Sequence, residues 1–308
     1  MNHLSILSGS APQEGKIGYP KLLVLSGPPG VGKSSLSQGL NVKTKAKEYK
    51  NLVIDFQSGL SHVGGNVFDL RAFQEDFKTT PLKAYKSAIN QLKNLKKGIK
   101  VTKTAEGNKE EKIEPFEWDF ITIDPLSYLQ PILTELSADK YNRSVIGVAK
   151  AKDLAEKKYG KAYTPAHVVS MYSTDPVGDP DNNAGQNGWK FMKDAWTEIF
   201  YELLSLPKEC LIVVAHNKYN KLNKVDGTSI DVKALDFWPT YAAQLIAEAH
   251  DSAAVVRAGN EVYLNFALSA ENEVFKSRNF GDQNILISKK EGDNIEFYWD
   301  KIFPFLKA

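Results

Sequence analysis

The sequence predicts an α/β fold in which a mainly parallel sheet is flanked by helices and antiparallel strands are added at the C-terminal end. Two observations predict it. Short apolar strands alternate with helical segments through the first two-thirds of the chain, which is typical of a parallel sheet covered on both faces. Beyond residue 253, short apolar runs alternate with turn residues, as antiparallel strands do.

The elements follow in a simple order. The predicted parallel strands are 22–25, 52–56, 120–124 and 211–215. Apolar residues recur at helical spacing over 81–97 and 189–205, and helices are also expected over 33–40 and 241–250. The polar stretches 100–114 and 218–237 lack apolar periodicity and are predicted to be surface loops. The antiparallel strands are centred on 255–256, 262–264, 285–287 and 295–299.

Domain organisation is predicted to be equally simple. Residues 1–18 are punctuated by Ser, Gly and Pro and are expected to form a flexible arm. Residues 19–308 are expected to form one domain, with long loops at about 137–188 and 217–236. Insertions of about 50 residues without structure of their own are usually functional or mobile.

Composition excludes several classes of protein. Of 308 residues, 42% are hydrophobic and 25% charged, which excludes a disordered chain, a collagen-like fibre and a long coiled coil. The net charge is only +2, so any nucleic-acid surface must be local. One cysteine, Cys210, allows neither an intrachain disulfide nor a cysteine zinc site. With no signal peptide and no apolar run long enough to span a bilayer, we expect a soluble cytoplasmic protein without a membrane partner.

A phosphate-binding motif follows the first strand. The segment 27–34 matches GxxxxGK[ST] in full, with an apolar strand before it and a helix after it. Glycines let backbone N–H groups curl around phosphates, Lys33 supplies a point charge, and the Ser34 hydroxyl binds Mg²⁺. The sequence therefore predicts an ATP and magnesium site, whose nucleotide-binding residues are Gly27, Pro28, Pro29, Gly30, Val31, Gly32, Lys33, Ser34 and Ser35.

Asp124 is the predicted second metal ligand. It closes the apolar strand 120–124, which is expected to lie next to the phosphate loop, where a carboxylate can hold the Mg²⁺ water shell. On its own, an Asp after an apolar strand is more often a cap or turn residue, but the phosphate loop upstream favours the metal role. The residue that follows is Pro125, whereas ATPases of the AAA+ type have Glu there.

Four features in this order resemble the RecA-core ATPases, and above all phage-encoded recombination ATPases linked to single-strand annealing. The first two are the phosphate loop and the Asp124 strand. The third is the strand 213–216, whose last residue, His216, occupies the place of this family's γ-phosphate sensor. The fourth is 275–281, Phe-Lys-Ser-Arg-Asn-Phe-Gly, which is similar to the K-x-R-x-x-G segment of bacterial RadA proteins and to the Lys/Arg pair of replicative hexameric helicases.

The resemblance implies a RecA-like fold and a ring or filament of identical subunits. It also implies that Lys276 and Arg278 reach a neighbour's γ-phosphate, where a cation supplied in trans stabilises the transition state. One departure matters: this family commonly has Asp-x-Glu after the second strand, whereas this chain has Asp55, Phe56 and Gln57. Gln can orient a water molecule but cannot take its proton. Either Asp55 is the base, or turnover is slow, or ATP acts as an assembly switch. The predicted catalytic residues are Lys33, Asp55, Gln57, His216, Lys276 and Arg278.

The resemblance also implies binding of single-stranded DNA by two loops, within 137–188 and 217–236. The second loop has basic residues three or four apart and one aromatic residue, which suits phosphate contact and base stacking. Its candidate DNA-binding residues are Lys218, Tyr219, Lys221 and Lys224.

Three functions stay open on the sequence. The first is an oligomeric, DNA-dependent ATPase of recombination, annealing or replication, with a single-strand-binding or annealing protein as partner. The second is a small-molecule or nucleotide kinase, although such enzymes usually carry an arginine-rich lid and 137–188 contains one arginine, Arg143. The third is a nucleotide-gated scaffold that does not hydrolyse ATP, which Gln57 favours.

Overall fold

The structure is a computed structural model that describes residues 18–307, except for 61–64, 105–106, 180, 183, 224–228 and 268–275. For 103–104, 107–108, 186, 219–223, 229–232 and 276 it describes the backbone only. The predicted arm, 1–18, therefore lies outside the described residues apart from Gly18.

The structure contains the four parallel strands that the sequence predicts over 22–25, 52–56, 120–124 and 211–215. The strands of the described chain are β1 (Leu22–Gly27), β2 (Val42–Lys43), β3 (Glu48–Tyr49), β4 (Asn51–Asp55), β5 (Asn66–Asp69), β6 (Ile99–Thr104), β7 (Gly107–Lys112), β8 (Phe120–Asp124), β9 (Cys210–Asn223), β10 (Ser229–Leu235), β11 (Asp251–Ala258), β12 (Glu261–Asn265), β13 (Lys276–Ser277), β14 (Asn284–Glu291) and β15 (Asn294–Phe297).

The helices are α1 (Lys33–Leu36), α2 (Leu70–Phe77), α3 (Pro81–Lys96), α4 (Leu129–Arg143), α5 (Val145–Tyr159), α6 (Pro165–Val169), α7 (Gly188–Leu204) and α8 (Pro239–Glu248). A 3₁₀ turn over Ser37–Leu40 continues α1, so the helix predicted over 33–40 is α-helical only in its first half. The helices predicted over 81–97, 189–205 and 241–250 are confirmed within a few residues.

One sheet organises the molecule. Its order is β15-β14-β12-β11-β1-β9-β8-β4-β5, with β10 paired to β9 and β13 paired to β11. Six neighbouring strands, from β11 to β5, are parallel. The C-terminal strands β12, β14 and β15 extend the sheet in antiparallel pairs. A mainly parallel sheet with added antiparallel C-terminal strands is therefore confirmed.

Each face of the sheet has its own hydrophobic core. Apolar side chains of α3, α4, α7 and α8 pack on one face, together with Val24, Ile123 and Val213. The helix α1 packs on the other face with the C-terminal segment 299–306. Trp299 ties the two together, because its Nε1 donates to the carbonyl of Leu36 at 2.8 Å. The phosphate-loop helix is thereby fixed against the end of the chain.

Three predicted loops are regular structure. The stretch 100–114 is mostly the hairpin β6–β7, in which charged residues alternate across the strands. Much of 137–188 is helical, since it contains the end of α4 and the whole of α5 and α6. The sequence gives α5 a weak apolar pattern because its buried residues are small, such as Ala151 and Ala155. Within 217–236, the strand β9 continues beyond His216 and pairs with β10. This hairpin extends past the hydrophobic core, so its residues are mostly polar and the sequence shows no strand pattern there. The predictions of long loops at 137–188 and 217–236 are wrong for these described residues.

Candidate functional site

The phosphate loop leaves the carboxyl end of β1 and folds around the side chain of Lys33. Gly30 and Gly32 have φ angles of +77° and +102°, which favour glycine, and Gly32 directly precedes α1. The Lys33 ammonium donates to the carbonyls of Gly27 and Pro28, both at 2.8 Å. Pro28, Pro29 and Gly30 are exposed, Ser34 and Ser35 are half-buried, and Val31 and Lys33 are buried. The ammonium is thus held inside an otherwise accessible loop.

His216 lies beside this ammonium. It pairs in register with Gly27 across β1 and β9, and its Nδ1 is 3.4 Å from Lys33 Nζ. Burial lowers the pKa of Lys33 to about 8, an effect that the Asp124 carboxylate opposes. Burial and the Lys33 charge also lower the pKa of His216, so a neutral ring can accept the ammonium proton at Nδ1. The predicted sensor is therefore in contact with the phosphate-loop lysine.

Asp124 reaches the site from a strand that is not adjacent to β1. The expectation that β8 neighbours the phosphate-loop strand is wrong, because β9 lies between them in the sheet. The Ser34 hydroxyl is nevertheless close enough to the Asp124 carboxylate to lower its pKa. The two predicted metal ligands, which are 90 residues apart in the chain, therefore lie at the same place.

The Asp124 carboxylate has unused binding capacity. It is 6% exposed, and its Oδ2 is buried without a hydrogen-bond partner among the described residues. Burial raises its pKa to about 6, and the nearby Asp55 contributes, whereas Ser34 and Lys33 act in the opposite direction. Carboxylate and hydroxyl oxygens are the hard ligands that Mg²⁺ accepts, together with water and phosphate oxygens. Ser34 and Asp124 thus fit a magnesium ion that takes its other ligands from outside the protein.

No larger set of metal-ligating side chains is described. Within 18–307, apart from the gaps given above, no group of three or more His, Cys, Asp or Glu side chains could hold a metal. An ion held by Ser34 and Asp124 would take its remaining ligands from water or from phosphate oxygens.

Asp55 is occupied by its own turn. Its Oδ1 accepts the N–H of Gln57 and its Oδ2 accepts the N–H of Leu60, both at 2.8 Å. The side chain is 2% exposed, so it fixes the chain where it leaves β4. Gln57 follows at the same edge of the sheet and is half-buried. Both oxygens of Asp55 hold backbone groups, which argues against the interpretation of Asp55 as the catalytic base.

Lys276 and Arg278 lie at the other edge of the sheet. β13 pairs with the first residues of β11, and Ser277 is opposite Asp251. The Asp251 carboxylate is fully buried and accepts the N–H groups of Arg278 and Asn279 at 2.9 and 3.1 Å, as well as the side chains of Ser277 and Asn279. The side chain of Arg278 is exposed, while that of Lys276 lies outside the described atoms. Asp251 therefore fixes the backbone that carries Arg278.

This placement separates Arg278 from the phosphate loop of its own chain. Asp251 is in register with Leu23 near the start of β1, and the loop begins after Gly27. Four residues of strand correspond to about 13 Å. The segment lies beyond the amino edge of the sheet and the phosphate loop beyond its carboxyl edge, so a role for Arg278 at a phosphate requires a second copy of the chain.

Of the candidate DNA-binding residues, Lys218, Tyr219 and Lys221 lie on the β9–β10 hairpin, which projects past the carboxyl edge of the sheet. Lys218 Nζ donates to the carbonyl of Phe237 at 2.9 Å and is 4.0 Å from a carboxylate oxygen of Asp236. It therefore anchors the base of the hairpin. The side chains of Tyr219 and Lys221 and the whole of Lys224 lie outside the described atoms.

Arg257 is a residue of this region that the sequence did not single out. A β-carbon built on Gly32 would lie 3.7 Å from its Nη2 atom, so the guanidinium is beside the phosphate loop. β11 brings it there, because this strand runs parallel to β1 but continues past Gly27 to Ala258. A parallel register between strands 230 residues apart has no local sequence signal, which explains why the residue was missed.

No protein-family model matches the chain, and no curated protein sequence matches it. Among the described residues, no helix is long and apolar enough to cross a bilayer.

Proposed function

We propose that the chain binds ATP with Mg²⁺ and hydrolyses it in sites shared between identical subunits, in the service of single-stranded DNA metabolism. One observation carries the nucleotide part: Lys33 and Ser34, from a complete phosphate-loop motif, meet His216 and the unsatisfied Asp124 carboxylate at one edge of the sheet. In this arrangement Lys33 would bind the β- and γ-phosphates, and Ser34 with Asp124 would hold the magnesium ion. Mg²⁺ would neutralise charge on the phosphates. The RecA-like assignment of the fold and the DNA role rest on the resemblance stated above.

The shared site is supported by the position of Arg278. Its exposed side chain lies at the edge of the sheet away from its own phosphate loop, on a backbone fixed by Asp251. A cation delivered to a neighbour's γ-phosphate stabilises charge in the transition state only when subunits are assembled. Hydrolysis would then depend on assembly.

The test is ATP hydrolysis against protein concentration, with and without single-stranded DNA. Wild type is compared with Arg278→Ala and with Arg71→Ala, a matched control whose exposed guanidinium pairs with Glu75 within α2. We expect a DNA-stimulated rate that rises more than linearly with concentration and is lost only in Arg278→Ala. A specific activity that is independent of concentration and DNA would contradict the proposal and favour the kinase.

A non-hydrolysing nucleotide switch is the second candidate, and the engagement of Asp55 by two backbone N–H groups favours it. With Asp55 occupied, Gln57 is the residue left at this edge where the resemblance predicts a glutamate. A general base contributes about 10²- to 10⁴-fold to a rate. Tight ATP binding without turnover in the wild type, followed by turnover in Gln57→Glu, would support the switch; turnover in the wild type that Gln57→Glu does not change would exclude it.

A further inference from the structure

The charge of the chain is concentrated in one segment. Residues 78–112 contain ten lysines and three glutamates, a net charge of +7, although the whole chain carries only +2. The remainder therefore carries −5. The segment comprises the turn that follows α2, the helix α3 and the hairpin β6–β7, and it is called the lysine lobe below. It lies outside the phosphate site and outside the two segments for which DNA contact was predicted.

Eight lysines of the described part of the lobe have side chains exposed to solvent. Those with exposed side chains are Lys78, Lys83, Lys86, Lys96, Lys97, Lys100, Lys109 and Lys112. Among the described residues, two members of the lobe form ion pairs: Lys93 with Glu202 and Lys96 with Glu117. Most of the positive charge is thus not neutralised by described carboxylates. An anionic partner would reduce the mutual repulsion of these lysines.

The outward face of α3 presents part of this charge in a line. Its opposite face is buried against the sheet through Leu82, Tyr85 and Ile89. Lys83, Lys86 and Lys97 are exposed, and the first and last are about 21 Å apart along the helix axis. Phosphates of one strand in B geometry are spaced at about 3.4 Å, so this distance corresponds to about six phosphates.

A groove of about 510 Å³ runs along the same helix. Its walls are α2 on one side and β6–β7 on the other, and its lining residues are Phe73, Phe77, Thr79, Lys83, Ser87, Asn90, Gln91, Asn94, Val101 and Glu110. Amide and hydroxyl side chains dominate the floor. Such groups hydrogen-bond to base edges and to phosphate oxygens.

The groove also contains an aromatic platform. The rings of Phe73 and Phe77 have their centroids 4.5 Å apart, and Phe77 is 54% exposed. An unpaired base can stack on an exposed ring, whereas the bases of a duplex are stacked on one another and cannot. Lysines for phosphates, amides for base edges and an exposed phenylalanine for stacking together favour a single strand over a duplex, a membrane or an acidic protein.

We infer that the lysine lobe binds a single-stranded nucleic acid, with phosphates along the outward face of α3 and bases in the groove toward Phe77. The site is independent of nucleotide hydrolysis. α3 packs on the face of the sheet opposite to α1, so a strand bound there leaves the phosphate loop free.

The experiment measures binding of a fluorescent oligothymidylate to the full chain, in EDTA and without nucleotide, over a series of salt concentrations. The variant Lys83→Glu/Lys86→Glu/Lys97→Glu is compared with a control variant, Lys190→Glu/Lys193→Glu/Lys290→Glu, which makes the same change of charge at exposed positions outside the lysine lobe and outside 137–188 and 217–236. Loss of three phosphate contacts should reduce the slope of log K against log salt by about 2 and weaken binding at least tenfold. The control variant should bind like wild type.

Phe77→Ala tests the groove separately. Loss of one stacking platform should weaken binding roughly tenfold and leave the salt slope unchanged. Equal weakening in the α3 variant and the control variant, or unchanged binding in both, would overturn the inference. Equal affinity for a duplex with no effect of Phe77→Ala would overturn the choice of a single strand. The far-UV circular dichroism spectrum and the urea unfolding curve of each variant show whether the fold is intact. Because the oligonucleotide assay contains no ATP, its failure is distinguishable from failure of the proposed ATPase function.

Discussion

Asp124 and Asp251 are both buried aspartates at the ends of parallel strands, but they lie at opposite edges of the sheet and differ in how they are satisfied. Asp251, at the amino edge, accepts two backbone N–H groups and two side-chain donors. Asp124, at the carboxyl edge, has a buried oxygen without a partner and a pKa raised to about 6 by burial. A saturated carboxylate stabilises the fold, whereas one with spare acceptor capacity is suited to a cation that arrives with a ligand.

The largest expected effect of this difference is on stability at the amino edge. Asp251→Ala leaves several buried donors without an acceptor, and we expect it to lower the free energy of unfolding by about 3–5 kcal/mol. Urea denaturation measures the change, with Asp153→Ala, an exposed aspartate of α5, as the control expected to stay within about 0.5 kcal/mol. A loss below about 1 kcal/mol would show that Asp251 does not fix this segment.

We expect Asp124→Asn to raise the free energy of unfolding rather than lower it. The folded pKa of Asp124, about 6, lies above the unfolded value of 3.8, so ionisation costs stability as the pH rises through this window. The variant should equal wild type near pH 4 and exceed it by about 3 kcal/mol above pH 6. It should also lose the magnesium dependence of nucleotide binding. Urea denaturation at the two pH values is the measurement, and destabilisation at pH 7 would contradict the account.

Nucleotide binding should take up protons because of Lys33. Burial lowers the pKa of its ammonium to about 8, whereas bound phosphates would keep it charged. Without metal, we expect an uptake of about half a proton at pH 8 and about one tenth at pH 7. Calorimetry in two buffers with different ionisation enthalpies measures this uptake, and no difference between pH 7 and pH 8 would refute the assignment.

The smallest expected effect concerns Arg257. Its guanidinium lies beside Gly32, and in Arg257→Ala we expect ATP affinity to fall about 5- to 10-fold because one cation near the phosphates is lost. Arg71→Ala is the matched control and should bind ATP like wild type. Equal affinities of Arg257→Ala and wild type would mean that the guanidinium does not contact the nucleotide.

The centre of the fold could be predicted from the sequence because its signals are local. The strands over 22–25 and 120–124, the phosphate loop between 27 and 34, and the helix beginning near residue 81 all lie where expected. Each is marked by a continuous apolar run, by glycines or by helical periodicity. His216 was singled out because the resemblance implies a γ-phosphate sensor at the end of the strand 213–216, and it lies 3.4 Å from Lys33, although β9 continues to Asn223.

The remainder depends on contacts that the sequence does not display. The insertion of β9 between β1 and β8 is a matter of topology, and so is the arrival of Arg257 beside Gly32. Asp251 is 27 residues from Arg278 and has no motif to mark it. The helix α5 was missed because alanines and a glycine form its buried face, which weakens the periodic pattern.

The central claim is that one copy of the chain completes the nucleotide site of another, and mixing two inactive variants tests it most directly. Lys33→Ala lacks a working phosphate loop but keeps Arg278, whereas Arg278→Ala has the reverse defect. If sites are shared, an equal mixture restores about a quarter of the wild-type sites, because a site needs both an intact loop and an intact neighbour. ATP hydrolysis by the mixture should therefore far exceed that of either variant alone. A mixture no more active than its components would contradict the account.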